Sequence, residues 1–385
     1  MKKNFKRIVL IILDGCGVGV QDDYKKFHSK ETNTIGNLYK TDSSFSLSFL
    51  ESLGLKQILS LNCSVPVNNK KCFKLKQLTS GNDTFAGMWE MFGVVFKKRF
   101  ASNGRGLGKE LLNKLRKNNL STICNRFISG YKALDRYYVK HKETGLPILY
   151  SSNDGVILLA AHTTVMAPEK LNQYAKKISP FLFDKGFVRI ITRPFTGLPN
   201  NFVRIEKFRK DFMLVKLPRK NMLGKIQSRG VNIRITEHIN RIFNNPEGVS
   251  VLKKSYSNNC ELTGFIEKDL ANDKFNLLIY VLPDTDNLGH KKNVSGFRDS
   301  MVLTDKWLEK VSNNLGDDDL LIISADHGCD PSVKLRGHCR EFIPLLFYSH
   351  DSIAHEFFKT SSRFSDIGEM ICRNFKVPFK RNELS

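Results

Sequence analysis

Three short apolar runs, each followed within a few residues by an acid, constrain this chain most. Ile8–Leu13 ends at Asp14, Leu277–Leu282 leads into Asp284-Thr285-Asp286, and Leu320–Ser324 leads into Ala325-Asp326-His327-Gly328. Runs of this length, rich in Ile, Leu and Val, read as strands buried on both faces, the kind found in parallel sheets covered by helices. Open α/β sheets bind their ligands at the carboxyl edge of the strands. Three strands delivering acids to one edge are hard to explain as core packing. The fold expected is α/β, with a mostly parallel sheet flanked by helices. Phe342–Tyr348 supplies a further strand and Arg298–Asn313 a helix.

Histidines complete the pattern. His290 stands four residues after Asp286, His327 is next to Asp326, and His338 follows Arg336-Gly337. Any one of these side chains alone reads as a cap or a surface residue. Together, three Asp and three His are enough ligands for two divalent ions. Imidazole suits transition metals and carboxylate suits Mn, Mg or Zn, so the mixed set favours Mn or Zn over Ca. Two adjacent metals can clamp the attacking and leaving oxygens of an in-line phosphoryl transfer. Phosphate chemistry is the first expectation.

The 385 residues suit a large core carrying an insertion. Strand-like runs at Pro147–Ser151, Val156–Ala161, Phe187–Thr192 and Met213–Leu217, with helix-like stretches at Leu111–Leu120 and Leu171–Ser179, belong to the middle of the chain. The expected division is a discontinuous core, residues 1–97 and 221–385, interrupted by an α/β cap domain over residues 98–220. No apolar run reaches bilayer-spanning length. The lysines before Ile8 precede a run too short for a signal peptide. The eight cysteines form no C-x-x-C pair, as in a reducing compartment. A cytoplasmic enzyme is expected. Cys329 and Cys339 lie close to the histidines, but six Asp and His ligands already account for two ions. The formal charge is +23, and residues 93–216 hold 24 Lys or Arg against 8 Asp or Glu. No helix-turn-helix, zinc-finger or RNP signature accompanies that charge, so nucleic acid is not expected as a partner; attraction of a phosphorylated small molecule is the better use of it. A monomer is expected.

Ser80-Gly-Asn-Asp83-Thr84-Phe-Ala-Gly-Met-Trp89-Glu90 has the look of a helix start, with Asp83 as N-cap and Thr84 at the positive end of the dipole. On this segment alone the better reading of Thr84 is a capping residue without chemistry. The wider set of motifs resembles the cofactor-independent phosphopentomutases of the alkaline phosphatase superfamily. It comprises Leu13-Asp14, Asp83-Thr84 with Gly87-Met88-Trp89-Glu90, Thr144–Asp154, Ala160-Ala161-His162, and Arg193-Pro-Phe-Thr-Gly197 with Asn201-Phe202. Asp284-Thr285-Asp286 with Gly289-His290, Ala325–Gly328, and His338-Cys339-Arg340-Glu341 complete it, so that the match runs in order across nearly the whole chain.

That resemblance implies an alkaline-phosphatase-like core with an inserted cap, and an isomerase interconverting ribose 1-phosphate and ribose 5-phosphate, with the 2-deoxy forms. It implies Thr84 as the phosphate-accepting nucleophile. One ion would be held by Asp14, Thr84, Asp326 and His327, the other by Asp286, His290 and His338. The family uses Mn2+; Mg2+, Co2+ or Zn2+ are alternatives, and a sugar bisphosphate activator is compatible. Ser152, Asp154 and Val156 match sugar-site positions, Arg193 matches the substrate-phosphate contact, and Arg204 and Arg234 align more loosely as further phosphate ligands. Asn82 stands where the family usually has lysine and Met88 where it has histidine. The Asp286–His290 gap is one residue shorter than usual. The alternative is a phosphatase or mutase of the same superfamily acting on another sugar phosphate.

Overall fold

The computed structural model describes residues 4–27, 29–61, 72–101, 106–151, 155–182, 185–215, 221–244, 246–253, 256–335, 337–350 and 361–384. In chain order the strands are β1 (Arg7–Leu13), β2 (Phe73–Leu75), β3 (Val94–Phe96), β4 (Ile123–Phe127), β5 (Ile148–Ser151), β6 (Val156–His162), β7 (Arg189–Leu198) and β8 (Asn201–Arg204). They continue as β9 (Lys210–Met213), β10 (Ile233–Thr236), β11 (Ser250–Leu252), β12 (Leu277–Leu282), β13 (Asp319–Ser324), β14 (Ile343–Tyr348) and β15 (Asn382–Leu384). The chain divides into two compact units, Met1–Lys97 with Arg219–Ser385, and Lys98–Pro218.

The first unit is built on a seven-stranded sheet in the order β11-β10-β12-β1-β13-β14-β2. The five strands from β11 to β13 run parallel, and β14 and β2 are antiparallel additions at one edge. Every residue of β1, β12 and β13 is buried, which explains why their sequences are apolar without alternation. At roughly 25 cal/mol per Å² of apolar surface removed from water, these three central strands supply a large share of the core's stability. β1 lies between the other two, with Leu13 paired to Leu282 and Ile12 to Ser324. The three carboxyl ends therefore fall side by side, and whatever follows each of them is brought to one edge. β3 and β15 form a separate parallel pair.

The second unit has a six-stranded mixed sheet, β4-β5-β6-β7-β8 with β9 also pairing to β7. One face packs against Pro168–Leu182 and Lys109–Lys117; the other packs against Gly130–Thr144 through Ala133, Leu134 and Tyr138. Of the strand expected over Met213–Leu217, Met213 closes β9, which is the more charged stretch Lys210–Met213, antiparallel to β7; Lys216 and Leu217 lie outside the described residues. Asp211 is admitted to that strand because Arg209 and Arg189 both pair with it. Among the described residues no helix is long and apolar enough to cross a membrane.

Candidate active site

Asp14 is the first residue past β1, Asp326 the second past β13, and Asp286 sits in the first turn of the helix Asp284–Lys291 that begins two residues after β12. The loops are tied to one another. Thr285 Oγ1 donates to the Asp14 carbonyl at 2.6 Å, Gly15 N donates to Asp326 Oδ1 at 3.2 Å, and Cys329 N donates to the Gly15 carbonyl at 2.8 Å. The helix phase of Asp284–Lys291 places His290 one turn from Asp286, with Nε2 3.3 Å from Asp286 Oδ2. A bridge between Gly328 and Cys339 returns the chain so that His338 Nε2 lies 3.7 Å from Asp286 Oδ1.

Two overlapping groups result. Asp14, Asp326 and His327 are buried and offer ligand atoms within 4.8 Å of one another; Asp286, His327 and His338 do the same beside them. His327 Nε2 is 3.3 Å from Asp14 Oδ1 and 3.4 Å from Asp326 Oδ2. Its Nδ1 faces the Gly328 carbonyl at 3.3 Å, an arrangement that puts the proton on Nδ1 and leaves Nε2 as the ligand. A third trio, Asp286, His290 and Cys329, brings in a thiol that the sequence argument set aside. The Cys329 Sγ, however, leans on the Asp286 carbonyl and the backbone of Gly289.

The electrostatics call for cations. Asp14 is driven well above the usual carboxylate range by burial and by the neighbouring charges of Asp326 and Asp286, against which His327 pulls down. Burial also acts to raise Asp286, yet His290, His338 and His327 hold it below the usual range. His327 is disfavoured as a cation by burial but raised by Asp326, Asp14 and Asp286. Asp14 Oδ1, Asp286 Oδ1 and Asp326 Oδ2 are buried and accept no hydrogen bond among the described residues. Unsatisfied carboxylate oxygens converging with imidazole nitrogens fit divalent metal ions.

Thr84 opens the buried helix Thr84–Met91, with Asp83 as N-cap accepting from Ala86 N at 2.9 Å. Its Oγ1 lies 3.0 Å from His327 Nε2. Gly87 lets the helix approach: a Cβ there would strike the Asp326 carbonyl oxygen. Asn82 donates to the His338 carbonyl at 3.4 Å, and Met88 is fully buried. The loop leading to Thr84 is held from both sides. Glu90 accepts from Leu78 N and Thr79 N, while Arg340 donates to the carbonyls of Gln77, Thr79 and Gly81 and pairs with Asp23. Sequence reading noticed both residues as parts of motifs but not what they hold.

The remaining predicted positions lie elsewhere. Arg193 on β7 and Arg204 on β8 share one face of the second unit's sheet, and Val156 begins β6. Ser152 and Asp154 fall outside the described residues. Arg234 is not brought to the metal-ligand group. It sits on β10 level with Leu278, four residues short of the end of β12, and is engaged by Asp269, Ser250 and the Val251 carbonyl.

A family model described as the metalloenzyme superfamily matches residues 6–379. The phosphopentomutase of Clostridium kluyveri is 31% identical over 377 residues, covering 95% of this chain and 94% of its own. That of Lachnoclostridium phytofermentans is 33% identical over 383 residues, covering 97% and 96%. The chain belongs to the phosphopentomutase family, within the metalloenzyme superfamily, and is an isomerase. Among solved structures, a phosphoglycerate mutase of Leishmania mexicana aligns over 100% of this chain and 99% of its own at 10% identity, with a TM-score of 0.49.

Proposed function

We propose that the chain interconverts ribose 1-phosphate and ribose 5-phosphate, and their 2-deoxy forms, through a phosphothreonine at Thr84 with two Mn2+ ions. The observation that carries this reading is the position of Thr84: a hydroxyl at a helix amino terminus, 3.0 Å from His327 Nε2 and beside the buried Asp14–Asp326–His327 group. Asp14, Asp326 and His327 would hold one ion with Thr84, and Asp286, His290 and His338 the other. When bound, divalent ions offset the carboxylate charge, lower the pKa of the threonine hydroxyl and stabilise charge on the transferring group.

The chain's own residues supply the rest. Backbone N–H groups at the start of the Thr84 helix point toward the phosphoryl position and favour negative charge there. Arg340 and Glu90 fix the preceding loop, so Thr84 Oγ1 stays in one place through both half-reactions. Phosphothreonine gives its phosphoryl group to a hydroxyl of the sugar monophosphate, forming a bisphosphate. Thr84 then takes back the other phosphoryl group, and net phosphate release is zero. Arg193 and Arg204 would serve as substrate-phosphate ligands, a task suited to guanidinium forks. A cytoplasmic location and a monomeric state accompany this reading.

The test is conversion of ribose 1-phosphate by Mn2+-loaded enzyme, with ribose 5-phosphate and free phosphate followed together and Thr84→Ala alongside. The expected outcome is isomer with little free phosphate, abolished in Thr84→Ala. Predominant release of free phosphate would overturn the mutase reading in favour of a phosphatase.

A further inference from the structure

Among the described residues, one cluster of side chains in the second unit keeps hydrogen-bond donor atoms that find no acceptor. In the sheet, Tyr150 is level with Leu158 and Ile191, Arg193 with Ala160, and Arg204 with Phe195. Paired residues and those two apart share a face, so Tyr150, Arg193 and Arg204 project from the same side. That side is covered by the helix Gly130–Thr144. Arg204 and Tyr150 converge on the helix's first residue: a Cβ at Gly130 would collide with Arg204 Nη2 and stand 3.0 Å from Tyr150 Oη. The Ser129 side chain does not cap this helix.

Tyr150 is 2% exposed, and its Oη has no hydrogen-bond partner among the described residues; nor do Arg193 Nε and Arg204 Nε. An orphaned hydroxyl at 98% burial is costly unless something completes it. Three donor atoms without an acceptor among the described residues, beside a helix amino end that Ser129 does not cap, suit an oxyanion.

The acids nearby divide by exposure. Asp211 is 3% exposed and fixed between Arg209 and Arg189. Glu206 reaches Arg193 Nη1 at 2.7 Å, but its side chain is 52% exposed and hangs from a short turn, Glu206–Phe208. One acid is structural; the other can swing into solvent.

We propose that Tyr150 and the amino end of the Gly130 helix join Arg193 and Arg204 in a seat for the phosphate of the sugar, and that Glu206 occupies Arg193 in the free enzyme as a counter-ion which the incoming phosphate displaces. This rests on the reading of Arg193 as a phosphate ligand. Glu206 thereby sets the affinity of the seat: it neutralises a half-buried guanidinium when the enzyme is empty and competes with every phosphate that enters. Tyr150 contributes a donor that a sulfate or phosphate oxygen satisfies and an uncharged sugar does not.

Calorimetric titration of ribose 5-phosphate into the full-length, Mn2+-loaded Thr84→Ala protein gives Kd without turnover; KM and kcat in the Thr84-containing enzyme give the second readout. Added to either background, Glu206→Gln is expected to tighten binding about two- to fivefold, the worth of one half-exposed ion pair, with the effect on KM larger than on kcat. Tyr150→Phe is expected to weaken binding about tenfold, the worth of one hydrogen bond to a charged group, while the thermal transition stays cooperative. Unchanged or weaker binding in Glu206→Gln would overturn the counter-ion role, and unchanged binding in Tyr150→Phe would remove Tyr150 from the seat. Arg193→Met separates the two levels: if it leaves Kd unaltered, the phosphate-ligand reading itself fails. If it weakens binding while the other two variants are silent, only the present inference fails.

Discussion

Arg340→Met tests how the loop before Thr84 is held. Arg340 is 1% exposed, and its five N–H groups face six acceptors, with Nη1 sharing two hydrogens among three: the Asp23 carboxylate at 3.1 and 3.0 Å, Gln77 Oε1 at 2.8 Å, and the carbonyls of Gln77, Thr79 and Gly81 at 2.8 to 3.0 Å. The three carbonyls alternate along the chain, as they do on one edge of a strand. The guanidinium thus stands in for a neighbouring strand, and its plane also stacks on Phe27 at 4.0 Å. Methionine keeps most of the aliphatic stem and removes every donor. Breaking a buried ion pair by deleting one partner costs about 3–5 kcal/mol. The Asp23 side chain is 27% exposed and regains some water, which places the estimate near the lower end, about 3 kcal/mol. Set against a typical total stability of about 5–15 kcal/mol, that is readily measured by urea denaturation of the metal-loaded protein. Arg340→Lys should recover less than half, since one ammonium cannot reach both Asp23 and three carbonyls. If Thr84 is the nucleophile proposed above, Arg340→Met should also lower its phosphorylation, because the freed segment ends three residues before it. A loss below about 1 kcal/mol, with phosphorylation intact, would refute the reasoning.

Glu90 gives a pH-dependent counterpart. Burial raises its carboxyl from an ordinary value of 4.5 to about 7, against the pull of the Leu78 and Thr79 amides and Arg340. The folded protein therefore holds this proton more tightly than the unfolded chain between those pH values. The associated stability is present below pH 4.5 and lost as pH rises through 7, on the order of 3 kcal/mol. Glu90→Gln should flatten that dependence, so its denaturation free energy gains on that of the parent between pH 5 and 8; parallel curves would contradict this. Gly87→Ala should lower Mn2+ affinity at least tenfold by calorimetry, since the new methyl meets the backbone of Asp326 rather than a side chain that can turn away. Unaltered affinity would show that the helix can shift without disturbing the ligands. Mn2+ at about a hundred times its Kd should stabilise the protein by about 2.7 kcal/mol, read as a rise in melting temperature that chelation reverses. That gain should shrink as pH falls, because protons compete for Asp14, whose carboxyl lies above its ordinary range. A gain independent of pH would place the ion elsewhere.

What could be seen in the sequence and what could not differ in one physical respect. Asp14 and Asp326 announce themselves because the strands before them are buried on both faces, and an acid one or two residues past such a run has a single plausible location. The N-cap at Asp83 is likewise local, written in side chain and helix start together. The functions of Arg340 and Glu90 are not local. Each acts on backbone groups 11 or more residues away, and no periodicity records which loop a buried charge will hold. Arg234 shows the converse error: a basic residue at a promising position is already committed to Asp269 across the sheet edge. In the second unit β9 closes at Met213 and takes in Lys210–Met213, where Asp211 becomes a sheet residue because Arg209, two residues before it, and Arg189, on the paired strand β7, neutralise it. A surplus of 16 positive charges in the middle of the chain could equally have been solvated lysine. Arginines 189, 193 and 209 instead pair with two acids, one buried and one exposed. Net charge counts such a network and a solvated surface alike; only the exposure of each acid separates the pair that builds the sheet from the pair that a phosphate can break.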